Sequence, residues 1–476
     1  RRQPRKTRKA RPRREHQVKE STRQNQKRAM SIDLAFIKVL VAGLCVIAVA
    51  SFFYLSERTK VLNQKAALTD AKTQLNTLQV ENEDLNLEIE QSIRFDTVET
   101  VAKKYRHFLN VGKTERECVA QSIELAKKAG YQDLEELIKN QTPLKAGNKV
   151  YRTWMEKTIA LFQIGEDAIE DGLNILGAHI DSPRLDLKQN PLYEDTEMAL
   201  LDTHYYGGVK KYQWVTLPMA LHGVVVKKDG TKVNICIGEK DEDPVVGITD
   251  LLIHLSGKQM QKKGNVIVEG EDLNVLIGSK PLKGEEKEAV KKQLLQLFDE
   301  EYGIEEEDFL SAEIEVVPAG KARDFGLDRS MIMSYGQDDR VCAYTSLAAM
   351  LNVEAPKRTS CCILVDKEEI GSVGATGMHS RFFENTVAEI LALTGDYNDL
   401  RLRRTLQNSY MLSSDVSAAF DPNYPSVMEK KNCAYFGLAT KDITTAIPNR
   451  MIAVLRLLYA MTPTIGTTIR STLITV

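Results

Sequence analysis

LNILGAHID, residues 173–181, is the stretch whose reading decides the fold. It reads as a short buried strand over Leu173 to Leu176 that runs out into His179 and Asp181. Three further stretches end in the same way. CCILVDKEEIGS, 361–372, places Glu368 and Glu369 just past the apolar run from Cys361 to Val365. SMIMSYGQDDR, 330–340, delivers Asp338 and Asp339, and NSYMLSSDVSAAF, 408–420, delivers Asp415. In an open α/β sheet, ligands bind in the crevice beyond the carboxyl ends of the strands, so four such ends can converge on one site. One imidazole with several carboxylates makes an oxygen-rich nest suited to divalent metal.

Each element alone is weak, because the chain has 7 His and 66 acidic residues and an exposed Glu-Glu pair is usually a solvated turn. Their order and their placement at strand ends carry the weight. Two ions sharing one carboxylate can hold a water between them, lower its pKa and polarise a peptide carbonyl. A free carboxylate must then take the proton, and of two neighbouring Glu one can bind metal while the other stays free as general base. Asp181 stands two residues beyond His179, where it can hydrogen-bond the imidazole and orient it. Other enzyme classes find little support: the sequence has no GxxxxGK[ST] phosphate loop, no GxSxG elbow and no HExxH zinc helix. GSVGATG, 371–377, lacks the lysine of a phosphate loop and reads as a turn that lets helix and strand pack closely near Glu369.

Between the first and second ligand-bearing runs the pattern is rich in β signals. VVVKKDGTKVNICI, 224–237, carries an Asp-Gly turn between two apolar segments, and EIEVVPAG, 313–320, reads as another strand. The expected organisation is an α/β catalytic domain over 100–188 and 321–438 with a β-rich domain over 189–320 inserted in it. Seven scattered cysteines, with only Cys361 and Cys362 adjacent and no CxxC pair, read as reduced, buried fillers.

The amino-terminal part differs in kind. Residues 1–30 hold 13 Lys and Arg against 2 Glu, a charge of +11 in a chain whose total is −2, so about −13 remains for the rest. LAFIKVLVAGLCVIAVASFFYL, 34–55, has the length of one bilayer span, and the basic tail at 1–33 predicts a single-pass anchor with its amino terminus in the cytoplasm. Such a tail sets topology and touches anionic lipid more simply than it binds nucleic acid. Over 56–95, Val61, Gln64, Leu68, Ala71, Leu75, Leu78, Asn82, Leu85, Ile89 and Ser92 recur at steps of three and four. They predict a coiled coil, with a solitary amphipathic helix as the alternative. Tail, span and stalk together resemble septal cell-division proteins of the FtsL type. FDTVETVAKKYRHFLNVGKTERECVAQSIELAKKAGY, 95–131, continues as helical pattern.

GAHIDSPRLDLKQNPLYED (177–195), THYYGGVKKYQW (203–214), LHGVVVKKDGTKV (221–233), VDKEEIGSVGATGM (365–378) and SSDVSAAFDPNYP (413–425) resemble the aspartyl aminopeptidase and aminopeptidase I family of two-zinc exopeptidases. The resemblance covers about 100–438 in the family's order. It implies a zinc-exopeptidase-like three-layer catalytic domain and an inserted domain that serves dimerisation in large closed homo-oligomers. It implies two divalent ions, zinc or else cobalt or manganese, acting on a peptide substrate. His179, Asp338 and Asp415 would hold one ion, Asp338 would bridge, Glu369 would hold the other, and Glu368 would be the base. His254, in TDLLIHL, is similar to a family histidine that reaches a neighbouring subunit's substrate pocket; the alternative is an ordinary helix-surface histidine. The family's last ligand is a histidine near the carboxy terminus, whereas this sequence has none after His379, and 439–476 is a Thr- and Ile-rich tail unlike the family. The peptidase part by itself resembles a cytoplasmic enzyme. Two functional readings follow: a metal-dependent aminopeptidase, or a membrane-tethered structural or division protein with an inert peptidase passenger.

Overall fold

A computed structural model describes residues 95–395 and 397–435, together with Lys38, Thr59, Lys60, Gln64, Ala67 and Leu68. The expected span at 34–55, the coiled coil at 56–95 and the tail at 439–476 therefore lie almost wholly outside the described residues. Among the described residues, no helix is long and apolar enough to cross a membrane.

The chain enters through α1, Phe95–Val111, and α2, Glu115–Lys128. The continuous helical pattern breaks between them because Thr114 is extended and forms a capping box: its hydroxyl accepts from the Glu117 N–H while Glu117 returns to the cap backbone. Short α3, Leu134–Lys139, follows.

The first sheet holds, from edge to edge, β1 (Gln132–Asp133), β2 (Lys149–Trp154), β3 (Thr158–Gln163), β13 (Ser360–Val365), β4 (Asn174–His179) and β14 (Tyr410–Ser413). β13, β4 and β14 run parallel, so their carboxyl ends open on the same side. The register sets Val365 opposite His179 and Ser413 opposite Gly177. β13 is buried along its whole length, and its side chains alternate between two cores. Cys362 and Leu364 pack with α1, α2 and α5 (Gln337–Leu351), through Phe108, Val119 and Leu347. Cys361, Ile363 and Val365 pack with α6 (Phe382–Leu393) and α7 (Asp399–Asn408), through Val387, Ile390 and Leu402. Helices thus cover both faces of the sheet, which gives the expected three layers.

The second sheet is antiparallel throughout, in the order β8 (Lys232–Ile237), β7 (Met219–Val226), β10 (Ala312–Pro318), β5 (Arg184–Asp195), β6 (Met198–Tyr206) and β9 (Val275–Gly278). Its own core takes in Leu221, Val316 and Phe309, with α4 (Ala289–Tyr302) supplying Val290. The Asp229-Gly230 turn joins β7 to β8 as expected: Gly230 takes φ +85° and Asp229 accepts from the Thr231 N–H at 2.8 Å. The sheet begins at Arg184, before the boundary expected at 189, because β5 leaves β4 after only four residues.

Two strand expectations change. β4 runs from Asn174 to His179, so His179 closes the strand and does not follow it. The run before Asp338 does not end a strand of the main sheet. β12 (Met331–Met333) pairs only with β11 (Arg323–Phe325) in a separate ribbon, and Asp338 stands at the start of α5. Three parallel strand ends and one helix start make the site.

Candidate active site

His179 at the end of β4 is 3% exposed. Its Nε2 lies 3.2 Å from Asp338 Oδ1 and 3.7 Å from Glu368 Oε2. Its Nδ1 lies 3.0 Å from the Asp181 carbonyl oxygen and 3.3 Å from the Asp181 carboxylate. Asp415, just past β14, completes the cluster: ligand atoms of His179, Asp338 and Asp415 all lie within 4.8 Å of one another.

Asp181 is fully buried and holds the opposite wall. Its Oδ1 accepts from the Glu368 N–H and its Oδ2 from the Glu369 N–H, each at 3.2 Å, and Oδ2 also accepts from the Tyr206 hydroxyl at 2.7 Å. The glutamate turn is thus pinned by the residue that orients the imidazole. From below, Asp366 is buried and takes a 2.6 Å hydrogen bond from Thr376, whose carbonyl accepts from Thr158. A Cβ on Gly207, which has φ +74°, would sit 3.3 Å from Glu369 Oε2, so the glycine at this position leaves room for Glu369. The loop 371–377 folds on itself: a Cβ at Gly377 would sit 2.3 Å from the Ser372 carbonyl oxygen, which is a turn rather than a helix-to-strand contact.

Asp338 is placed by three hydrogen bonds that local sequence pattern does not anticipate. Ser182 donates to its carbonyl at 2.7 Å, and the buried Arg340 reaches the Ile180 and Lys113 carbonyls, anchoring the start of α5 beneath β4. Tyr206, Ser182 and Arg340 sit in the quoted strings, but their partners lie 25 to 227 residues away, which no local pattern signals. His254 is not brought in. It lies exposed in a turn rather than on a helix, and joins none of the hydrogen bonds that tie this cluster.

The electrostatics call for a cation. Burial works against charge on His179, yet the carboxylates of Asp181 and Asp338 win and push it up to about 11. Burial, then the Asp338 charge, pushes Glu369 up to about 7. Burial pushes Asp339 up to about 8, and neither of its buried carboxylate oxygens has a hydrogen-bond partner among the described residues. Carboxylates packed so closely repel one another unless a proton or a metal lies among them. One imidazole with carboxylate oxygens at this spacing fits a divalent ion of the zinc type.

Residues 108–446 match the model of the aminopeptidase I zinc metalloprotease (M18) family. The chain belongs to the M18 family. Its enzyme class is zinc metalloaminopeptidase, and membership favours that over the structural or division reading. The match also takes in 439–446, beyond the point where the sequence reading ended the resemblance. A probable M18 family aminopeptidase 1 of Clostridium acetobutylicum is 62% identical over 335 residues, covering 70% of this chain and 72% of that protein. The crystal structure of aminopeptidase I from Clostridium acetobutylicum is similar at TM-score 0.65 and 61% identity, over 70% of this chain and 73% of that one. An M18 aminopeptidase structure from Thermotoga maritima is similar at TM-score 0.69 and 43% identity, over 73% and 76%.

Proposed function

We propose that this M18 chain hydrolyses amino-terminal residues from peptides, with His179, Asp338 and Asp415 around one divalent ion, Asp338 shared with a second ion at Glu369, and Glu368 as general base. Bound there, zinc supplies Lewis acidity, lowering the pKa of water and polarising a peptide carbonyl. Glu368 takes the proton of the attacking water and passes it to the departing amine. Asp181 holds the imidazole in one tautomer and, through its two backbone contacts, keeps Glu368 aimed.

The observation that carries this reading is the meeting of His179 with Asp338 and Asp415 while Glu368 stands 3.7 Å from the same ring. Homo-oligomerisation belongs to the proposal, with the exposed apolar run Leu251, Leu252, Ile253 and Leu255 beside His254 in its support. The deciding experiment measures metal content after dialysis, together with turnover of aminoacyl chromogenic substrates. Two ions per chain that are lost on mutating His179 and Asp338, together with turnover, is the expected result. Glu368→Gln should keep the metal and lose about 10²- to 10⁴-fold in kcat, the usual worth of a general base. A chain that binds no metal, or an E368Q variant with full turnover, sinks the reading.

A further inference from the structure

We propose a second divalent-metal site, separate from the catalytic cluster, in which Glu117, His222 and Cys236 hold a zinc-type cation between α2 and the second sheet. His222 on β7 and Cys236 on β8 are directly opposite one another in the antiparallel register, so their side chains share one face of the sheet. Glu117 reaches them from the first turn of α2. Its Oε2 is already committed, accepting from the Lys113 and Thr114 N–H groups at 2.7 and 3.0 Å, and this turns Oε1 to within 2.8 Å of His222 Nδ1. The helix cap therefore fixes a carboxylate oxygen in position before any ion arrives.

Ligand atoms of these three residues lie within 4.8 Å of one another. On a single tetrahedral ion with bonds of about 2.0–2.3 Å, ligand atoms lie about 3.3–3.8 Å apart, so binding asks the side chains to close in by up to about an ångström. The other ring nitrogen, Nε2, lies 3.3 Å from Glu239 Oε1. A metal-bound histidine typically donates its remaining N–H to a carboxylate in this way, which sets the tautomer with Nδ1 free. His222 is 2% exposed while Cys236 is exposed, so the site is rigid on the protein side and open to entering ions. One thiolate, one imidazole and one carboxylate form a set that suits zinc or cobalt and disfavours calcium or magnesium.

The charges balance in both states. Without an ion, both ring nitrogens of His222 face carboxylates and carry protons, and Lys113, 3.6 Å from Glu239, offsets the second carboxylate. When one divalent ion enters, one proton leaves the imidazole and one leaves the thiol, so the local charge stays at zero. The cluster of Glu115, Glu313 and Glu315 offers no comparable site, because Lys157 and Arg184 already occupy it.

The test titrates the full chain, stripped of metal and kept reduced, with cobalt(II) alone. A thiolate-to-cobalt charge-transfer band should rise in the near ultraviolet and level off at the intensity of one thiolate-bound cobalt per chain once the catalytic cluster is also filled. Cys236→Ser should abolish the band and lower bound cobalt by one ion per chain, leaving the melting temperature of the stripped chain and any turnover unchanged. Cys342, beside Asp339 at the catalytic cluster, is a thiol that the catalytic ions could reach, so Cys342→Ala should keep the band. Absence of the band from the parent chain, its survival in C236S, or its loss in C342A overturns the proposal.

Discussion

Asp181 touches the imidazole, both glutamate N–H groups and the Tyr206 hydroxyl, so the geometry of the whole cluster passes through one carboxylate. Burial raises the cost of its charge, but the His179 contact and these hydrogen bonds outweigh it and hold Asp181 below the usual carboxylate range. An asparagine offers one acceptor oxygen where Asp181 uses two, and turns its NH₂ toward a backbone donor. Asp181→Asn should therefore weaken zinc by about 10- to 100-fold, read as retained zinc against a graded chelator. Equal zinc retention in the two proteins would remove Asp181 from the positioning role.

Among the elements, the three parallel strands β13, β4 and β14 carry the site residues at their carboxyl ends, and in the second sheet β7 pairs with β10 from Met219 to Val225. Gly223 in β7, φ +152°, pairs with Ile314, and a Cβ there would meet the Glu313 carbonyl oxygen at 2.0 Å. That oxygen is backbone and cannot swing away. Gly223→Ala should cost about 1–3 kcal/mol or more by forcing the ladder apart, seen as a lower melting temperature. An unchanged melting temperature would mean that the two strands can separate without loss.

Across the whole molecule, the two sheets are tied by a buried charge network. Glu115 at the start of α2 pairs with Lys157 at 2.8 Å, from the β2–β3 turn, and with Arg184 at 3.6 Å, at the head of β5. Arg184 also meets Asp186 at 2.8 Å and Glu315 at 3.2 Å, and Lys157 meets Glu313. Burial opposes charge on Glu115, yet Arg184 and Lys157 win and hold it well below its usual range. A depressed carboxylate contributes stability that is present above its unfolded value, about 4.5, and lost as pH falls through the folded value. Glu115→Gln should cost about 3–5 kcal/mol near neutral pH, because it leaves two buried cations short of a partner. The melting gap between parent and variant should narrow as pH drops below about 4.5; a gap independent of pH would show that lost packing, not charge, sets the cost.

The sequence by itself determined the strands that lead to His179, Glu368 and Glu369, because a buried parallel strand needs a continuous apolar run and a polar residue must mark where it leaves the core; the strand before Asp415 was legible from its apolar residues although it lies at the exposed sheet edge. It also determined the β7–β8 hairpin, since an Asp-Gly pair meets the positive φ that such a turn requires. Only the tertiary structure decided that Asp338 comes from a helix start, that Asp181 grips the glutamate turn, and that His222 and Cys236 meet Glu117. Those contacts join residues tens to hundreds of positions apart, and sheet register and helix packing bring them together where local periodicity carries no trace of the partner.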